Sequence, residues 1–141
     1  MNLSAVETQP RPLRIFVVEN HPDTLKYLRM YLEMMGHEVS SAPTVAQALA
    51  ALPASDPDVL LSDIGLPDGT GWELLERLEG LLDRPPFAIA MSGFGLGADQ
   101  ARSRAAGFRQ HLLKPFPPDR LGDLLDEAAS ELAVEAVARE R

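Results

Sequence analysis

Five short strand-like segments, each followed by a segment of helical spacing, constrain this chain more than any other feature. They are IFVV (15–18), HEVSSA (37–42), DVLLSD (58–63), FAIAMS (87–92) and FRQHLLK (108–114). The near-continuous apolar character of IFVV, DVLLSD and FAIAMS suits strands buried on both faces, as in a parallel sheet. Between them, Leu25, Leu28, Leu32 and Met35 share one helical face, with Pro22 suited to its first turn and Gly36 to its stop. Thr44 with Gln47 offers a capping box for the helix VAQALAAL. Thr70 with Glu73 offers another, ahead of a stripe of Leu74, Leu75, Leu78, Leu81 and Leu82. A helix around 98–106 can end at Gly107, and a final helix carries Leu121, Leu124, Leu125, Ala128 and Leu132 on one side. Strand–helix alternation of this kind predicts an α/β fold, a (βα)5 three-layer sandwich with helices on both faces of a parallel sheet and right-handed crossovers.

Composition narrows the function classes. A chain of 141 residues with 45% apolar content suits one domain with a core and leaves no room for a second. Thirteen basic against 21 acidic residues give a net charge of −8, which disfavours direct binding of nucleic acid or an anionic membrane. No cysteine is present, so disulfides, thiolate metal sites and a cysteine nucleophile are excluded. The opening MNLSAVETQPRPLR lacks an apolar signal core, and no apolar run has the length of a membrane span. A cytoplasmic protein is expected, with a flexible arm over 1–13, one domain over 14–133 and a charged tail over 134–141.

Asp63 stands at the end of the third segment, just before the break Gly65-Leu66-Pro67-Asp68-Gly69. Glu19 and Asn20 follow the first segment, Ser92 ends the fourth and Lys114 ends the fifth. Open α/β sheets build their sites at the carboxyl ends of strands. Any one of these residues alone suits a cap or turn; four strand ends carrying polar or ionisable groups together point to a site.

The segments IFVVEN, LLSDIGLPDGTGWEL, IAMSG and AGFRQHLLKPF, in this order from about Leu13 to Ala133, resemble the receiver domain of two-component response regulators. The resemblance implies a flavodoxin-like fold with central strand order 2-1-3-4-5. By it, Asp63 is the phosphoacceptor, taking a phosphoryl group from a phosphohistidine on a histidine kinase or histidine phosphotransfer protein. Glu19 and Asn20 fall on the acidic pair that handles Mg²⁺, completed by Asp63 and the backbone carbonyl of Gly65. Ser92 matches the hydroxyl that meets the phosphoryl group and Lys114 the lysine that pairs with it. His111 takes the place of an aromatic switch residue. The face formed by helix four, strand five and helix five would then be remodelled for an unknown downstream protein or for a second copy in a homodimer. Phe94 stands where the family tunes water access to the acyl phosphate, and the Lys114-Pro115 bond where it places a cis peptide. Such a domain catalyses only its own phosphorylation and dephosphorylation. No output domain is visible, and the Met start with its arm favours an independent protein over a fragment of a hybrid kinase.

The residue types suit this chemistry. Phosphoryl transfer to a carboxylate gathers anionic oxygens, so positioning and charge neutralisation dominate. Mg²⁺ takes oxygen ligands and keeps waters; lysine adds a mobile point charge and serine a donor. Asn20 departs from the family pattern by supplying an oxygen without a charge, which predicts weak Mg²⁺ binding. His111 departs as well, being polar and titratable near neutrality; an edge-strand histidine facing solvent is its plainer reading.

Two other functions remain open. A pseudo-receiver would keep the fold and act as a phosphorylation-independent interaction module, with Asn20 as its mark. A small Mg²⁺-dependent phosphohydrolase would need repeated turnover of an external substrate, and no second nucleophile motif or substrate lid is evident. PDGTG has Leu66 where haloacid-dehalogenase-like phosphatases need their nucleophilic Asp. GFGLG lacks the Walker lysine and hydroxyl, and His21, His37 and His111 lack zinc-like spacing.

Overall fold

Alternation of strand and helix produces a single five-stranded parallel sheet in the computed structural model, which describes residues 12–93 and 97–139. The strands are β1 (Arg14–Val18), β2 (Glu38–Ala42), β3 (Val59–Asp63), β4 (Phe87–Ser92) and β5 (Gln110–Leu113). The helices are α1 (Pro22–Met34), α2 (Val45–Ser55), α3 (Gly71–Leu78), α4 (Gly97–Ala106) and α5 (Pro118–Arg139). Strand order is β2-β1-β3-β4-β5, as the receiver resemblance implies. A short antiparallel ribbon, Gly65–Leu66 with Gly69–Thr70, joins β3 to α3.

The alternating side chains of the strands feed two cores. On one face Ile15, Val17, Leu61, Ile89 and Met91 pack with Leu28 and Leu32 of α1 and Leu121, Leu124 and Leu125 of α5. On the other, Phe16, Val18, Leu60, Ala88 and Ala90 meet Val45, Ala48 and Leu52 of α2 and Leu74 and Leu78 of α3. Full burial of each such Leu or Ile contributes about 2 kcal/mol. Both faces are covered, so β3 is buried at all five positions.

Local signals set the helix ends. Pro22 occupies the first turn of α1, with its N–H requirement absent. Gly36 (φ 93°) donates its N–H to the Glu33 carbonyl and His37 to that of Leu32, closing α1 in a Schellman motif. Gly107 (φ 113°) closes α4 the same way, with Phe108 N–H bonded to the Ser103 carbonyl. The Thr44 and Thr70 hydroxyls accept from the N–H groups of Gln47 and Glu73, the threonine half of each expected capping box.

The leucine stripe after Thr70 is shorter than its spacing predicts. Helix α3 ends at Leu78, Gly80 adopts a left-handed φ of 83°, and Leu81 is 54% exposed. Leu82 still packs on the core beside α3. Conversely, α2 runs beyond VAQALAAL through Pro53 to Ser55, and Asp56 closes it in the left-handed region. Met35 caps the end of α1 while still packing on the first core.

Candidate functional site

The sheet reverses its order between β1 and β3, and the polar strand ends gather at that end. Backbone hydrogen bonds carry the strand registers one step past the strands. Glu19 N–H donates to the Ala42 carbonyl, Ile64 N–H to Met91 and Lys114 N–H to Ser92. Each candidate side chain is therefore anchored by its neighbouring strand. Gly71 at the start of α3 packs so closely that a β-carbon there would lie 2.5 Å from the carbonyl oxygen of Asp63.

Lys114 bridges two carboxylates. Its Nζ lies 2.5 Å from Oε1 of Glu19 and 3.1 Å from Oδ2 of Asp63. Glu19 and Asp63 are buried, at 1% and 7% exposure. Burial and the neighbouring Glu19 charge push Asp63 above the ordinary carboxylate range, against the opposing pull of Lys114. Burial pushes Glu19 the same way, but hydrogen bonds from Lys114 and the His21 amide outweigh it and leave Glu19 lowered. Lys114 is itself raised, because its two carboxylates outweigh its desolvation. Two neighbouring carboxyls are thus pushed apart in acidity, a pattern frequent at functional sites.

His21 joins this cluster, which its spacing in the sequence had not suggested. Its Nδ1 and backbone N–H both lie 3.2 Å from Oε2 of Glu19. One ligand-type atom each from Glu19, His21 and Asp63 lies within 4.8 Å of the others. Between Glu19 and His21, the side-chain oxygen of Asn20 is buried with no hydrogen-bond partner. Gly65 pairs in register with Thr70 in the ribbon just beyond Asp63. The Lys114-Pro115 peptide is cis. Phe94 lies outside the described residues.

On β4 and β5, Ser92 Oγ lies 2.7 Å from Nε2 of His111. The other ring nitrogen, Nδ1, is 3.0 Å from Oγ of Ser103 on α4. Trp72 of α3 donates its indole N–H to the same Ser103 oxygen at 2.9 Å. His111 is consequently held from both sides rather than left facing solvent. Burial lowers its basicity, with Asp99 opposing weakly.

The response regulator receiver domain family model matches residues 15–126. The chain belongs to the response regulator receiver family. This receiver is 35% identical over 105 residues to the transcriptional regulatory protein KdpE of Mycobacterium tuberculosis, across 74% of this chain and 46% of that protein. It is 34% identical over 128 residues to the virulence sensor protein BvgS of Bordetella bronchiseptica, across 86% of this chain and 10% of that one. The chain therefore spans about half the length of the first relative and a tenth of the second. A solved CheY-like receiver domain protein from Methanospirillum hungatei matches with a TM-score of 0.75 and 31% identity, across 86% of this chain and 99% of that one. Receiver domains take phosphoryl groups from histidine kinases and generally bind Mg²⁺ at an acidic cluster. Among the described residues of this receiver, no helix is long and apolar enough to cross a membrane.

The residues present fit such an ion. Glu19 and Asp63 offer hard oxygens, and the unpartnered oxygen of Asn20 is an acceptor that a cation would satisfy. The structure brings together Glu19, Asp63 and Lys114, and separately Ser92 with His111. Sequence reasoning missed His21, Ser103 and Trp72. Only for His21 was a signal present, its adjacency to the Glu19-Asn20 pair.

Proposed function

We propose that the protein accepts a phosphoryl group on Asp63 from a phosphohistidine of a kinase or phosphotransfer partner, and that this changes its protein-binding surface. The observation carrying this reading is the Asp63–Lys114–Glu19 arrangement at the carboxyl end of the sheet. An oxygen of Asp63 would attack phosphorus, forming a P–O bond as the P–N bond to the donor imidazole breaks and the nitrogen keeps the electron pair. Lys114 Nζ, 3.1 Å away, would hold the Asp63 carboxyl in its ionised, nucleophilic form. Lys114 is within reach of charge developing on the phosphoryl oxygens. Ser92 would donate to one of those oxygens.

Glu19, Asn20, Asp63 and the Gly65 carbonyl are the residues that would hold Mg²⁺, with His21 at the edge of the set. The ion supplies charge neutralisation for the incoming phosphoryl group. Output would pass to a downstream protein or a second copy through α4, β5 and α5.

Asn20 specifically favours a second reading, a phosphorylation-independent interaction module on the same fold. Intact mass measured after incubation with acetyl phosphate, with and without Mg²⁺, separates the two. An Mg²⁺-dependent adduct on the native chain, absent from Asp63→Ala, supports the acceptor reading. No adduct across a wide Mg²⁺ range in a folded protein overturns it in favour of the interaction module.

A further inference from the structure

A line of three hydrogen bonds leaves the site and joins four elements. Ser92 on β4 meets His111 on β5, His111 meets Ser103 on α4, and Ser103 meets Trp72 on α3, at 2.7, 3.0 and 2.9 Å. We infer that this line makes the α3–α4 edge a second readout of the phosphorylation state, with Ser103 as the positioning residue that couples His111 to Trp72. The inference rests on Asp63 being the phosphoacceptor.

The proton inventory gives the line a direction. An indole N–H can only donate, so Ser103 Oγ accepts from Trp72. With the imidazole proton on Nε2, Ser103 donates to Nδ1 and the ring donates to Ser92. Each donor from Trp72 to Ser92 is then used once. Burial favours the neutral ring, which this arrangement requires.

Ser103 is held firmly enough to transmit a change. It is 1% exposed, and its own carbonyl closes α4 by accepting from Phe108, three residues before His111. His111 has room to move, because a cavity of about 210 Å³ opens beside it, lined by Gln100, Ser103, Arg104, Arg109 and Arg120. At the far end, the Trp72 ring carries the Arg102 guanidinium 5.2 Å from its centroid, and Arg102 pairs with Glu76 at 2.7 Å. When Ser92 turns toward a phosphoryl oxygen, His111 loses its Nε2 partner and the ring is released toward the cavity. Ser103 then loses Nδ1, and the indole and the Arg102–Glu76 pair above it are reset.

Trp72 is the single tryptophan of the chain, so its fluorescence reads this end of the line directly. The experiment is tryptophan emission of the full chain before and after acetyl phosphate with Mg²⁺, with intact mass taken on the same sample. Native protein is expected to change emission in proportion to adduct. Ser103→Ala, which cuts the line at its middle, is expected to form adduct to the same extent and to lose the emission change. His111→Phe, which keeps a flat ring without either nitrogen, is expected to lose it as well. Adduct without an emission change in native protein overturns the inference while leaving the phosphoacceptor reading intact. So does a full emission change in Ser103→Ala. No adduct in native protein overturns both.

Discussion

The Nζ of Lys114 lies 3.1 Å from Oδ2 of Asp63, joining residues 51 positions apart, while the same ammonium is held closer still by Glu19. One cation thus serves two buried carboxylates.

Removing either partner is expected to move stability in opposite directions. Lys114→Met leaves two facing carboxylates without a counter-charge and should destabilise the protein by about 1–3 kcal/mol. Asp63→Asn removes one of the two competing negative charges while Lys114 keeps Glu19, and should stabilise by about 0.5–2 kcal/mol. Urea denaturation of the three proteins reads both differences; an Asp63→Asn protein less stable than the native one contradicts this account of the site.

Gly71→Ala tests the close packing behind Asp63. The added β-carbon would meet the Asp63 carbonyl oxygen at 2.5 Å and Ser62 Oγ at 3.2 Å, so backbone must shift. A loss of about 1–3 kcal/mol is expected, as for other overpacked sites. Slower adduct formation on Asp63 should accompany it, because the displaced backbone carries the acceptor. Native stability in Gly71→Ala would show that α3 yields without strain.

His37 should make the fold acid-sensitive. It is buried, its Nδ1 accepts the N–H of Leu13 at 3.0 Å, and burial lowers its basicity against a weak opposing charge from Asp126. A folded value below the unfolded one, about 6.5, means that the unfolded chain binds the extra proton first. The stability from His37 is therefore present above that pH and is lost as pH falls toward the lower folded value. The slope for one such group is at most about 1.4 kcal/mol per pH unit. Denaturation midpoints measured from neutral to mildly acidic pH should fall less steeply in His37→Gln, with His111 supplying a remaining dependence of the same sign.

Asn20→Asp should tighten Mg²⁺ binding, by about tenfold for one added charge near a divalent ion after solvent screening. Magnesium titration followed calorimetrically compares the two proteins. Equal affinities would mean that position 20 does not approach the ion.

Much of the fold was legible because helix and strand periodicities are local. Apolar runs marked β1, β3 and β4, strand–helix alternation marked β2 and β5, and Gly36 and Gly107 marked the ends of α1 and α4, since only a residue without a β-carbon adopts a left-handed φ without strain. Leu81 misled, because its spacing continues a helical stripe that Gly80 had already ended. Asp68 was visible only as a turn residue. In the structure its carboxylate accepts from the N–H groups of Val45 and Ala46, tying the loop after β3 to the start of α2.

The sequence by itself determined the strand–helix alternation, the two apolar faces of the sheet and the polar residues standing at strand ends, because each depends on neighbours a few positions apart. Tertiary structure alone decided that Lys114 sits between Glu19 and Asp63, that His21 joins them, and that His111 is tied through Ser103 to Trp72. Those contacts depend on strand order, register and the seating of α3 and α4 against the sheet. These are settled by how the whole core packs, and no local spacing encodes them.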